Sequence, residues 1–572
     1  MTRTRGFVCI GGLVASLMAA GTAAASAATF YVSPSGSDAN ACTNPAAPCK
    51  TITKAVSDSE GTAGNATVEL AAGIYPETVK LEKPADDGIT INGAGSGAGG
   101  TELEPPSSAI ETTANIKVPG GAVTISNLSI VNVSGDAHGG IESNSETTLD
   151  NVTVDMQDPA KVNGIVQEEV GSLFVDGGGV TMASGSEGAA IGSAFEPLRI
   201  EGASVTVANG SKAVGIESEY APLSISDTSL TVGNTAGVAI ESTGAPTTLT
   251  GVSVADGSEK EPGLGFALPE SLSLNGVGLT MTNAKDSAPG ALVELGGTDT
   301  LEGLDVSGAW EGSALESSLA NLTLRNSRLI ASPTSKSPAI VDEGDDTGPG
   351  LFVQRSVVQA SATATPGALE AISGNVTLDS SEVLGGKDAL FFDQAAGKER
   401  TLTVAASTID AGNLGEANEA GVSGVEVIAG ETNSVANANI AGSIVLEKQT
   451  ATVGAGGESA TIDCSYTDTP DQTQSATGTE GAIACAAGSD GNTSSTPESL
   501  FASPFANYIL NPSSSAIDSV PTAKIGLPFG FTPSTTDLAG NPRSEDLDCV
   551  ALQDKGALEL QGRSTPCPVA VP

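Results

Sequence analysis

Leu198-Arg-Ile-Glu-Gly-Ala-Ser-Val-Thr-Val207 and Leu223-Ser-Ile-Ser-Asp-Thr-Ser-Leu-Thr-Val232 decide the fold. Set in register, Leu198, Ile200, Val205 and Val207 meet Leu223, Ile225, Leu230 and Val232. Further on, Val214 and Ile216 meet Val238 and Ile240. Apolar residues at every second position mark strands with one buried side. Turn formers separate them: Glu201-Gly202-Ala203-Ser204, Ser226-Asp227-Thr228-Ser229 and Gly233-Asn234-Thr235. Outward from this pair, Leu149, Leu173, Leu198, Leu223, Leu249 and Leu274 recur at about 25 residues, a period that signals stacked repeats.

Three strands in about 25 residues leave no room for helical crossovers, which need a dozen residues or more. Propeller blades run at about 40–45 residues and immunoglobulin-like sandwiches need about 100. Leucine-rich repeats have a compatible period but want a Leu-rich signature with a recurring Asn. Here Val, Ile, Thr and Ser share those positions. What remains is an all-β fold: a parallel β-helix, a single-stranded solenoid with three short strands per turn, rising about 4.8 Å each time. One turn cannot offset its own ordering entropy, so a long run of turns with special N-terminal and C-terminal caps is expected.

The chain is 39% hydrophobic but only 3% aromatic, which suits a narrow core of Val, Ile, Leu and Ala. The sustained periodicity argues against disorder. A formal charge of −44, from 68 acidic and 24 basic residues, repels nucleic acid and anionic membranes and attracts cations. Residues 1–27 read as a secretory signal: Arg3 and Arg5, an apolar run from Phe7 to Ala20, then Ala25-Ser26-Ala27. A membrane anchor is the alternative, against which the run is short and ends in small residues. No later stretch reaches the ~18 apolar residues that a span needs. The expected location is outside the cell or on its surface.

Beyond Cys9, six cysteines remain: Cys42, Cys49, Cys464, Cys485, Cys549 and Cys567. An even count outside the cell suggests disulfides. Of the connectivities open to them, Cys42–Cys49, Cys464–Cys485 and Cys549–Cys567 are favoured, because a rod keeps distant segments apart. Metal binding is the competing reading, but no CxxC occurs and the one histidine, His138, is remote in sequence. The expected organisation is an N-terminal cap and first turns over 28–93, with a short helix from Thr51, and the coil over 94–450. A disulfide-tied polar loop region over 451–499 and a terminal turn, cap and tail over 500–572 complete it.

Tyr31-Val-Ser-Pro-Ser-Gly-Ser-Asp38, Pro48-Cys-Lys-Thr-Ile52 and Ala71-Ala-Gly-Ile-Tyr75 resemble the start of secreted right-handed parallel β-helix proteins of the pectate-lyase-like superfamily. Near the other end, Ser499-Leu-Phe501, Tyr508-Ile-Leu510, Ser515-Ala-Ile-Asp518, Asp537-Leu-Ala-Gly-Asn-Pro-Arg543 and Asp554-Lys-Gly-Ala-Leu-Glu559 resemble a choice-of-anchor Q region. The resemblance implies the right hand of the coil, which periodicity does not. The chain departs from it by stopping at Pro568-Val-Ala-Val-Pro572 with no sorting motif, so free secretion or non-covalent retention is expected.

The feature with chemical interest is a recurring acid. Ile141-Glu142-Ser143, Ile216-Glu217-Ser218, Ile240-Glu241-Ser242 and Leu315-Glu316-Ser317 fall at one place in their turns, and Glu294, Asp342 and Glu370 are candidates to extend the series. Alternation sends the Ile inward and the Glu out. Glu217 and Glu241 would then be neighbours one rise apart, a repulsive arrangement unless screened, protonated or bridged. Three readings follow: a solvated face, a Ca²⁺ stripe, or a carboxylate pair acting on a glycosidic bond. Glu217 and Glu241 are the pair to test for catalysis. Glu217, Glu241, Asp342, Asp345 and Asp346 are the candidates for Ca²⁺, with Asp86-Asp87 read as a solvated loop. The resemblance also implies what an enzyme would need, Arg or Lys beside the acids. Arg199, Arg325 and Arg328 are scattered, the Asn-Thr-Asp and Gly-His-Gly signatures of β-helix galacturonases are absent, and Trp310 is the sole tryptophan. The leading expectation is a structural, adhesive or glycan-contacting rod without catalysis, with a polysaccharide or cell-surface partner. A polysaccharide lyase or glycoside hydrolase, Ca²⁺-assisted, is the alternative. Asp518 and Arg543 are expected to pair within the C-terminal cap.

Overall fold

Alternation places each turn's apolar residues over those of the turn before. Leu198 pairs with Leu173 below and Leu223 above, and Val205 lies between Val180 and Leu230. The structure, a computed structural model, describes residues 28–60, 65–81, 88–105, 114–132, 139–157, 163–234, 237–283, 287–344, 348–394, 398–412, 422–430, 432–454, 458–471, 474–478, 480–503, 508–521, 525–528, 531–543 and 552–560. It is a parallel β-helix of about 15 turns. A representative turn runs Leu198–Glu201 on a first face, Ser204–Val207 on a second and Val214–Glu219 on a third. The third face is a 16-stranded sheet. The other two join into one 31-stranded sheet because Val123–Asn132 and Thr147–Met156 each run through the corner and serve both faces.

The corner between first and second faces needs one left-handed residue per turn, for example Gly202 at φ 64°, Asp227 at 49° and Gly251 at 62°. Gly, Asn and Asp adopt this conformation at least cost, hence their recurrence there. The inward residues form one continuous buried cluster from Phe30 to Cys485. The leucine series is not one ladder, however. Leu149 pairs with Val175, and Leu249 sits over Ile225 rather than Leu223, which pairs with Thr247. Turn length varies, and a slip of two residues changes the column while keeping the side chain inward.

At the N-terminal end, Thr51 caps helix Ile52–Ser59, its hydroxyl accepting from Lys54 N at 3.2 Å. Glu77 accepts from the Ile52 and Thr53 amides, 2.7 and 3.0 Å. The helix buries Ile52, Ala55, Val56 and Ser59 against the first strands. Disulfides join Cys42 to Cys49 and Cys464 to Cys485. Cys549, Cys567 and residues 1–27 lie outside the described residues.

Two expectations at the C-terminal end are corrected. The stretch 451–499 is not only loop: Ser459–Ser465, Gln474–Thr477 and Gly481–Ala484 continue the coil, each pairing in parallel with the strand below. Beyond it the chain turns back along the outside of earlier turns. Phe531 stacks on Phe352, Ser534 N donates to Asp379 Oδ2 at 2.6 Å, and Lys555 Nζ donates to Thr493 Oγ1 at 2.7 Å. The partner expected for Arg543 is also different. Fully buried, Arg543 faces Glu559 at 3.5 Å and donates to Ser380 Oγ and to the carbonyls of Ala406, Gly556 and Ala557. Asp518 instead donates its amide to Asp554.

Candidate functional site

Ile-Glu-Ser triplets recur because each of the three positions has its own role on the third face. The Ile side chain is buried in the core, and the Ser points inward one step later. Ser218 Oγ donates to Ala221 O at 2.8 Å, Ser193 Oγ to Glu196 O at 2.5 Å, and Ser242 Oγ pairs with Thr247 Oγ1 at 2.7 Å. These hydroxyls close the corner beyond the strand. The Glu between them faces out. Register places Glu142, Glu217, Glu241, Glu316, Glu370 and Glu426 in one outward column, with Val166, Gly192, Gly265, Leu292, Val341 and Phe391 interspersed.

Glu217 and Glu241 are direct ladder partners. Both are half-buried, and burial pushes both carboxyls above the usual range. For Glu217 the charges of Glu241 and Glu219 add to this, and for Glu241 those of Glu219 and Glu261. Glu370 is raised likewise, by burial and then by Asp393, Glu343 and Glu316. At the start of the column Glu142 is neutralised by Lys117 at 2.7 Å. Glu294 belongs to a second outward column two residues along, with Glu219 and Glu343.

Asp342 is a correction. It occupies the inward Ser position, over Ser317 and under Ala371, and is completely buried. Burial raises its carboxyl to about 7, with Ser317 opposing and Glu343 adding to the rise. It cannot join a surface Ca²⁺ stripe. Asp345, Asp346, Asp86, Asp87 and His138 lie outside the described residues. Among the described residues, the one group of three potential ligand atoms within 4.8 Å of one another is Cys42, Cys49 and Asp58, and its two sulfurs are joined in a disulfide.

The face has two borders. On the side where its strands begin, a concavity of about 490 Å³ opens between Lys212, Val238, Glu241, Glu259, Lys260 and Glu261. No base was expected beside the acids, but Lys212 and Lys260 stand beside Glu241. Arg199 lies on the first face over the Phe174 ring and pairs with Glu201 at 2.9 Å. Arg325 lies over Phe352, and Arg328 faces Asp305 at 3.5 Å on the second face. Trp310 is core, its Nε1 donating to Ser313 O. A larger concavity of about 810 Å³ on the second face has Thr206, Thr231, Thr282, Asn209, Asn234 and Asn283 among its lining residues.

On the side where the strands end, the corner residue is left-handed in turn after turn: Phe195, Tyr220, Gly244, Leu268, Leu295 and Leu319, φ between 51° and 75°. Each corner amide donates to the carbonyl just before the next corner, as Phe195 N does to Glu219 O at 2.8 Å and Leu268 N to Glu294 O at 2.9 Å, so the corners stack one per turn. Five of the six carry large apolar side chains, 65%, 57%, 50%, 50% and 49% exposed in that order with Gly244 left out. The rings of Phe195 and Tyr220 are parallel within 10° at 5.9 Å, and Tyr220 reaches over Gly244, where a Cβ would meet its ring at 2.6 Å. Sequence reasoning missed this ridge. The available signal was Pro197, Pro222 and Pro246, each two residues past the corner.

No protein-family model and no curated protein matches this chain. Among solved structures, it is similar to the catalytic domain of a GH87 α-1,3-glucanase in complex with tetrasaccharides, at 13% identity and TM-score 0.39. That match covers 57% of this chain and just under two thirds, 66%, of the glucanase domain. It is also similar to the A-module of the Azotobacter vinelandii mannuronan C-5 epimerase AlgE4, at 13% identity, 61% and 94% coverage and TM-score 0.30. Pectate lyase Pel9A is similar over 93% of this chain and 96% of its own, at 11% identity and TM-score 0.17.

Proposed function

We propose that the chain is a secreted rod that holds a glycan along the outer side of its third face without turning it over. The observation that carries this reading is the ridge of solvent-exposed apolar corners, one per turn, bordering the face. Contiguous apolar surface on a soluble protein marks an interaction site. An aromatic pair standing in the open suits the apolar faces of sugar rings. A linear polymer laid parallel to the coil would meet one corner per rise of about 4.8 Å. Two disulfides fit an oxidising compartment.

A second reading has its own observation: Lys212 and Lys260 share a concavity with Glu241, the carboxylate-plus-cation arrangement that a lyase or hydrolase would use. One experiment separates the two. The purified chain is run through neutral and acidic polysaccharide gels, with and without Ca²⁺, while reducing ends and unsaturated products are followed. Retardation without new ends supports the rod. New ends that vanish in the Glu217→Ala/Glu241→Ala double variant would establish the enzyme. Free migration through every gel would sink the glycan reading.

A further inference from the structure

We infer that the ridge of Phe195, Tyr220, Leu268, Leu295 and Leu319 is a docking strip for a cationic amino-sugar polymer, whose ammonium groups meet the carboxylates set along the corners; this rests on the glycan reading above. The first support is conformational. A left-handed residue with a side chain costs about 1–2 kcal/mol, and Gly244 shows that a glycine serves at this corner. Large apolar side chains placed there stay about half exposed or more, so burial returns only part of that cost. Strain held at exposed positions points to a use on the surface.

The second support is charge. The corner segments 194–197, 219–222, 243–246, 267–271, 294–297 and 318–320 carry Glu196, Glu219, Glu270 and Glu294 and no Lys or Arg. Glu217, Glu241 and Glu316 face out alongside. Arg199, just past the first corner, is paired with Glu201 on the first face, and Lys212 and Lys260 stand across the third face on its other border. An acid-lined strip repels anionic polymers and anionic lipid surfaces. It also repels a second copy of itself, because a two-fold contact sets the same carboxylates against each other. A cation is attracted twice, by the carboxylates and by the faces of the Phe195 and Tyr220 rings.

The third support is spacing. The corners repeat at the coil rise of about 4.8 Å. An extended basic peptide repeats its same-face side chains at about 6.6–6.8 Å and is already about 2 Å out of step after one turn. Pyranose rings linked end to end advance roughly one ring per rise and stay in step.

The test uses the full chain and four probes: polyglucosamine at a pH where its amines are protonated, the same polymer N-acetylated, polygalacturonate and polylysine. Retention by polyglucosamine is expected, weakening with added salt. It should weaken about tenfold in the Phe195→Gly/Tyr220→Gly variant, whose fold is checked by circular dichroism. The Glu196→Gln/Glu219→Gln variant should bind more weakly and with a shallower salt dependence while keeping the fold. Equal retention by the N-acetylated polymer would overturn the amine assignment and leave the glycan reading standing. Tighter binding to polylysine would reassign the strip to a basic polypeptide. Retention unchanged in both variants would place the ligand elsewhere, and no retention by any glycan would remove both readings.

Discussion

Replacing Asp342 by Ser should stabilise the protein at alkaline pH and do much less at acid pH. Asp342 stands in the inward column that Ser218, Ser242 and Ser317 occupy in other turns. Its carboxylate is buried with neither oxygen in a well-formed hydrogen bond. Burial raises the folded-state value from 3.8 to about 7. A group raised on folding lends its stability below the unfolded value and loses it as pH climbs through the folded one. Three units or so at 1.36 kcal/mol each put the cost of the ionised aspartate at about 4 kcal/mol above pH 8, and about 1 kcal/mol at pH 4.5. Denaturant unfolding of wild type and Asp342→Ser at both pH values gives the difference between the two gains, expected near 3 kcal/mol. Any pH-independent packing change cancels from that difference. An equal gain at both pH values, or a loss at pH 8.5 that chelator abolishes, would show a carboxylate held ionised by a partner and refute the argument. Glu382, also raised to about 7 by burial, adds to the same trend in the wild type.

Four further outcomes are expected. Leu295→Gly should be neutral or mildly stabilising in thermal melts, because it relieves a left-handed leucine that is half exposed. Val293→Gly, two residues earlier and fully buried, should cost about 3 kcal/mol or more. Removing Cys464–Cys485, which closes a 21-residue separation, should cost about 3 kcal/mol in reversible unfolding. Arg543→Ala should cost about 3–5 kcal/mol, since it strips the buried charge that faces Glu559 and leaves the Ala406 and Gly556 carbonyls without their donor; loosening of this segment should speed exchange of the Gly556 N–H, which is bonded to Gly442 O.

The coil was legible because its signal is redundant: Ile200, Ile225, Leu249 and Leu274 repeat an inward position so often that a slipped column still reads as the same face. The outward column of Glu217 and Glu241 followed from the same alternation. Asp342 reads as a surface acid because a carboxylate usually faces water, and only register shows it in a serine's place. The ridge was invisible for a conformational reason. A leucine reads as core, and nothing in its identity announces φ of 52° and an open corner. The last turns read as loop because Gln474-Ser-Ala-Thr477 and Gly481-Ala-Ile-Ala484 are short and made mostly of small residues, without the alternating large apolar side chains of the earlier turns. The folded-back C-terminal segment rests on contacts such as Arg355 with Thr536, 181 residues apart, which no local pattern encodes.

In a solenoid each rung normally holds only the rungs beside it, so melting can begin at either tip and travel. The returning segment changes that at one tip. By touching Phe352, Asp379, Ala406, Gly442 and Thr493, it ties several rungs together at once, where the ladders join each rung only to the next. The last turns must therefore let go together or not at all, and a gradual unravelling of this rod has to start from its other, helix-covered end.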